Sequence, residues 1–194
     1  MKKIAFWFSI GSTYTYLSVS RLARIEKEHQ VSFEWNPFSV RKLMMEMNNI
    51  PFTPPEKKVK SDYMWRDISR RAKNYNLNPK IPAPYPLKNF DLANQIAVYG
   101  INEGWCEEYV KLTYKYWFES GIEAGSEECI NKISKEMNFN PHDLIENASS
   151  DTIIERYDAQ TDKARELGIF GSPSFISNCE IFWGDDRLED AINW

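Results

Sequence analysis

Ser12 and Thr13 stand between the apolar run Lys3-Ile-Ala-Phe-Trp-Phe8, closed by the turn-forming Ser9-Ile10-Gly11, and a helical pattern that opens near Tyr14. A hydroxyl at the start of a helix meets unpaired backbone N–H groups and the positive end of the helix dipole, a setting that suits an anion. A thiol held there ionises more easily than a free one. The plain alternative for Ser12 is an N-cap, worth about 1 kcal/mol. A second group, Gly171-Ser172-Pro173-Ser174, precedes an apolar strand pattern and offers an X-Pro bond that could be cis. A third, Asp185-Asp186-Arg187, reads as a solvated helix start unless something binds it.

Other chemistries are poorly supplied. The cysteines are Cys106, Cys129 and Cys179, an odd number with wide spacing and no C-x-x-C pair, which fits neither a disulfide framework nor a zinc knuckle. With only His29 and His142, an imidazole metal site or a serine–histidine triad lacks its parts, and no metal is expected. Twenty-four basic and 28 acidic residues leave a net charge of -4 with both signs mixed along the chain, so no basic stripe points to nucleic acid. The run Ile4 to Ile10 is short for a signal peptide and lacks a small-residue cleavage site, and no window approaches the roughly 20 apolar residues of a membrane span. A cytoplasmic protein without membrane contact is expected.

The elements that must position these groups follow from periodicity. The first strand, a helix from Tyr14 to about Glu28 and a second strand from Val31 to Pro37 spell β-α-β, whose right-handed crossover makes the strands parallel. Helical spacing then fills Val40–Met47, Pro55–Tyr75, Phe90–Glu103, Trp105–Glu119, Ser126–Met137 and Pro141–Ala148, with Asn140 as N-cap of the last. Four prolines between Asn78 and Pro86 forbid a helix there. Asp151 to Leu167 is one more helix ended by Gly168, followed by strands Ser174–Ser177 and Glu180–Trp183 joined at Asn178-Cys179, and a short closing helix. The order predicts an α/β thioredoxin-like fold with a large all-helical insertion. Residues 1–37 and 150–194 form a discontinuous thioredoxin-like domain, and 38–149 the helical insertion. In such folds the functional group lies where the first helix begins, opposite a cis-proline before the third strand.

The residues at those two places carry a resemblance. Phe6-Trp-Phe-Ser-Ile-Gly-Ser-Thr-Tyr-Thr-Tyr-Leu17 is similar to the opening of the 2-hydroxychromene-2-carboxylate isomerases and kappa-class glutathione transferases, within the DsbA-like thioredoxin superfamily. Gly168-Ile-Phe-Gly-Ser-Pro-Ser-Phe175 and Phe182-Trp-Gly-Asp-Asp-Arg-Leu188 resemble two further segments of that family, and weaker likeness runs through Asn48-Asn49-Ile-Pro51 and Lys60-Ser-Asp-Tyr63. The family's proline after the active serine is Thr13 here.

The resemblance implies a glutathione site with its thiol near Ser12, which stands where thiol oxidoreductases keep a cysteine. Serine cannot exchange disulfides, but its hydroxyl can donate a charge-assisted bond to a thiolate, worth about 1.5–3 kcal/mol. Ser172 before Pro173 would pair with the cysteinyl part of glutathione, and Asp186 with Arg187 would hold its γ-glutamyl end. Asn49 and Lys60 match positions that contact the tripeptide or second substrate; a loop asparagine and a surface lysine are the plain alternatives. Thr13 could cap the helix or help hold the thiolate. The aromatic residues Trp7, Phe8, Tyr14, Tyr16, Trp105, Tyr109, Trp117 and Trp183 could roof an apolar pocket, core packing being the usual role for most. The expected activity is that of a glutathione-dependent isomerase acting on an unsaturated, aromatic-derived acid, with Ser12 catalytic. The alternatives are a kappa-class-like transferase, or a non-catalytic module that captures peptides by strand pairing at Pro173. The family also implies homodimerisation through the inserted helices.

Overall fold

The computed structural model describes residues 1–49 and 55–194; Ile50 and Pro51 of the asparagine-containing motif lie outside the described residues. Strands β1 (Lys2–Phe8), β2 (Val31–Pro37), β3 (Ser174–Ser177) and β4 (Glu180–Trp183) make one mixed sheet in the order β2-β1-β3-β4. β1 runs parallel to β2, with Lys2 opposite Val31 and Phe8 opposite Pro37, and antiparallel to β3, with Phe6 opposite Phe175. A central strand covered on both faces needs apolar residues at successive positions. Phe6, Trp7 and Phe8 are all buried accordingly. Phe6 stacks on Phe175 at 5.3 Å and on Phe8 at 5.1 Å, while Trp7 meets Phe38 edge-on from the other face.

The crossover from β1 to β2 is α1 (Thr15–His29), which buries Tyr16, Leu17, Leu22 and Ile25 and stops at Gln30 in the left-handed conformation. The helices α2 (Val40–Glu46), α3 (Lys58–Asn74), α4 (Phe90–Glu103), α5 (Cys106–Lys115), α6 (Glu127–Glu136), α7 (Pro141–Ala148) and α8 (Asp151–Glu166) follow, and α9 (Leu188–Asn193) closes the chain. The Asn140 side chain accepts from the amides of His142 and Asp143, so the Asn-Pro start of α7 works as its sequence suggests. Asn178 and Cys179 both have positive φ, 49° and 66°, the backbone a two-residue hairpin with right-handed strand twist requires.

Two readings change. The expected helix 105–119 ends as α5 at Lys115 and continues as a wider π-helical turn, Tyr116–Ser120, before Gly121. The first helix begins at Thr15, with Tyr14 in the N-cap position and no side-chain cap, so Ser12 does not open it. The chain enters through i→i+3 bonds instead, Tyr16 N–H to Thr13 C=O and Leu17 N–H to Tyr14 C=O.

Buried side chains of β1 and α1 continue without a break into α4, α5 and α6, so sheet and helical block share one core. Among the described residues, no helix is long and apolar enough to cross a membrane.

Candidate functional site

The loop after β1 is drawn into a hydrogen-bond network that fixes Ser12. Its backbone N–H donates to Ser9 C=O at 3.0 Å, closing the turn Ser9–Ser12, and its hydroxyl donates to Ser172 C=O at 2.6 Å. The hydroxyl is thus directed at a distant carbonyl rather than at an amide of α1, in keeping with its place ahead of the helix. The Ser172 hydroxyl accepts from the Ser9 amide at 2.9 Å and lies 3.0 Å from the Thr15 hydroxyl. The Ser172-Pro173 bond is cis. Gly184 N–H donates to Pro173 C=O at 2.9 Å, tying the end of β4 to the same corner. The two loops singled out by sequence therefore meet.

Two residues that sequence reasoning missed hold this corner from behind. Asn94 of α4 is fully buried and uses both ends of its amide: Oδ1 accepts from Ile10 N–H at 2.7 Å, and Nδ2 donates to Ile10 C=O and Phe90 C=O, each at 2.8 Å. Tyr114 of α5, also buried, directs its hydroxyl between Ser9 C=O at 3.2 Å and Ser12 C=O at 3.1 Å. A signal for Asn94 existed, since it lies on the apolar stripe Phe90, Ala93, Asn94, Ala97, where an unpaired amide would be expensive. Tyr114 had none, because a tyrosine among helix aromatics reads as packing.

Above the corner opens a cavity of about 460 Å³, the size of a small-molecule site. Ser12, Thr13 and Ser172 form its polar floor; Met44, Met47, Met64, Leu87, Phe90 and Phe170 supply apolar wall. Gly11 has φ +125°, and a Cβ there would lie 2.5 Å from the Phe90 ring, so only glycine lets the ring close on this loop. Trp183 lies against Gly171, where a Cβ would collide with its indole, and meets Phe170 at 4.9 Å.

The expected site residues divide. Asn49 lines the cavity with Ser12, Thr13 and Ser172, whereas Pro173 is buried and does not line it. The Thr13 hydroxyl is buried and donates to Met64 Sδ at 3.1 Å, so it neither caps α1 nor points at a ligand. Lys60, Asp186 and Arg187 are exposed and do not line the cavity; Arg187 pairs with Asp186 at 3.0 Å and with Asp190 at 2.7 Å. The neighbouring Asp185 is the buried acid, taking two bonds from Arg71 of α3, at 3.0 and 2.7 Å. Of the eight aromatic residues named as possible roof, Tyr14 and Trp183 line the cavity. Burial and a bond to Asp67 at 3.0 Å keep the Tyr14 phenol protonated well above the ordinary range.

No thiol stands at the corner. Cys106 and Cys129 are buried in α5 and α6, where burial pushes both thiols up, Cys129 to about 12, and Cys179 sits in the hairpin turn between β3 and β4.

Comparison with known proteins agrees with this architecture. The model of the DSBA-like thioredoxin domain matches residues 3–192. The 2-hydroxychromene-2-carboxylate isomerase of Pseudomonas putida is 26% identical over 185 residues, 95% of this chain and 90% of that protein. A solved 2-hydroxychromene-2-carboxylate isomerase superposes with a TM-score of 0.86 at 26% identity, covering 98% of this chain and 94% of its own. The cytosolic disulfide reductase DsbM of Pseudomonas aeruginosa, solved with GSH, has a TM-score of 0.66 at 10% identity and covers 98% and 96%, a likeness of fold.

Proposed function

The chain belongs to the DSBA-like thioredoxin domain family, and from that premise we propose that it is a glutathione-dependent isomerase of an unsaturated, aromatic-derived acid, similar to the 2-hydroxychromene-2-carboxylate isomerases. The observation that carries the reading is the Ser12 hydroxyl at the mouth of an apolar cavity, bonded at 2.6 Å to the carbonyl that precedes a cis-proline.

The floor fits the thiol end of glutathione: a half-buried hydroxyl, a second serine beside the cis-proline, and no cysteine to form a mixed disulfide. When bound, glutathione would supply a thiolate nucleophile that adds to a conjugated double bond and leaves again, so that the bond can rotate in between. Ser12 would turn its O–H from Ser172 C=O to the sulfur, a charge-assisted bond replacing a neutral one. The Ser172 carbonyl freed by that turn becomes an acceptor for a ligand amide. Tyr114 and Asn94 keep the loop in place while the hydroxyl moves, because they hold its backbone and not its side chain. Asp186 and Arg187, exposed just after Trp183 in the chain, would bind the charged γ-glutamyl end, and Asn49, which lines the cavity, another part of the tripeptide.

The test is turnover of 2-hydroxychromene-2-carboxylate with and without reduced glutathione, using the wild type, Ser12→Ala and Asp186→Ala. Glutathione-dependent turnover, reduced about 10- to 100-fold by Ser12→Ala, is expected, as is weaker glutathione binding by Asp186→Ala. Turnover indifferent to glutathione or to Ser12 would remove the proposal.

A further inference from the structure

Arg41, in the first turn of α2, is the one cationic side chain among the described residues lining the cavity. Its guanidinium lies 4.1 Å from the centroid of the Phe90 ring, and one of its NH₂ groups donates to Leu87 C=O at 3.1 Å. Phe90 and Leu87 are also the side chains nearest Gly11, the residue before Ser12. The charge is thus held one aromatic ring from the serine, on the wall and not the floor. No carboxylate among the described residues forms an ion pair with it. Lys42 pairs with Asp158 and Arg165 with Glu46, while Asp91 accepts from the Tyr157 hydroxyl, on which the Arg41 charge also acts. A guanidinium has five N–H donors in a rigid fork, and here one bond to a carbonyl and one stacking contact fix its plane while leaving it without a salt-bridge partner among the described residues, beside an apolar space.

We infer that Arg41 is the specificity residue that receives the carboxylate of the second substrate, so that the cavity selects an acid whose aromatic or unsaturated body lies along Phe90 and the methionines toward Ser12. This deepens the isomerase reading and rests on it for the identity of the reacting centre. Half-burial between ring and pocket suits a bidentate carboxylate, since the apolar surroundings strengthen the pair and the stacked plane needs little ordering. Glutathione also carries carboxylates, so the same chemistry has a second source.

The experiment measures binding of cinnamate, of cinnamamide and of reduced glutathione to the wild type, Arg41→Met and Arg41→Lys, with thermal unfolding of each variant beside it. The wild type should prefer cinnamate over cinnamamide by about 10- to 100-fold. Arg41→Met should abolish that preference with cinnamamide and glutathione affinities unchanged, and Arg41→Lys should restore part of it. A preference for the acid that survives Arg41→Met, no preference in the wild type, or a loss confined to glutathione would each overturn the assignment. Absence of 2-hydroxychromene-2-carboxylate turnover in a wild type that still binds cinnamate through Arg41 would sink the isomerase reading and leave this one standing.

Discussion

On and behind the floor of the cavity Ser9, Ile10, Ser12, Thr15, Asn94 and Ser172 hold one another through hydrogen bonds of 2.6–3.0 Å, whereas the wall formed by α2, Leu87 and Phe90 presents Met44, Met47 and two apolar side chains that touch by packing alone. Hydrogen bonds fix direction as well as distance, and an unmade one in a buried corner costs about 1–3 kcal/mol. Methionine has three rotatable bonds and a polarizable sulfur, so a wall of methionines adapts to what it covers. The floor holds the Ser12 hydroxyl in one place. The wall is built to accept a family of shapes, with Arg41 its single fixed polar point.

That contrast breaks most severely at Asn94. Asn94→Ala leaves Ile10 N–H and C=O without partners and should lower stability by about 2–6 kcal/mol, read by denaturant unfolding, with activity lost beyond what the unfolded fraction explains. Stability within 1 kcal/mol of wild type, by the same scale of about 1 kcal/mol per ordinary hydrogen bond, would mean that the floor is not held from behind. Tyr114→Phe removes one hydroxyl shared by two carbonyls and should destabilise by about 1–2 kcal/mol while lowering kcat more than it raises KM.

Asp185 lies outside the cavity and ties the turn after β4 to the helical block, because Arg71 of α3 reaches it. Burial raises its carboxyl above the ordinary range although Arg71 and Arg21 pull the other way. The folded state then holds the proton more tightly than the unfolded chain, so this group's contribution to stability declines as pH rises from the ordinary aspartate range through the raised value. Asp185→Asn should remove that component: wild type minus variant falls with rising pH across this window, and a flat difference would contradict the linkage. The smallest structural effect belongs to Met44→Leu, a near volume-conserving change expected to cost under about 1.5 kcal/mol. Its consequence should appear in KM among aromatic acids of different shape, with the ionisation of a bound thiol unchanged.

The sheet, the hairpin turn and most helices could be read in the chain because each is a local pattern: Asn178-Cys179 between two β-branched and aromatic runs, Asn140-Pro141 before a helix, Gly168 after one. The floor was legible in part for the same reason, since Ser12 and Ser172-Pro173 sit in short recognisable segments. Its supports were not. Asn94 and Tyr114 act across 84 and 102 residues of sequence, and nothing local marks a side chain whose partner is a distant backbone carbonyl. The placement of Ser12 ahead of α1 was hidden likewise, because the carbonyl that captures its hydroxyl comes from residue 172. Arg41 reads in sequence as an ordinary helix cation; only packing against Phe90 turns it toward the cavity.

Ser12, on the proposed function, lowers the pKa of a glutathione thiol bound on this floor. This effect is tested most directly by titrating the ultraviolet absorbance of the thiolate in the complex with wild type and with Ser12→Ala, at glutathione concentrations that saturate each. The account predicts ionisation at lower pH than for free glutathione in the wild type, and a return toward the free value in the variant. Equal ionisation in the two proteins, or no saturable binding of glutathione to either, would contradict it.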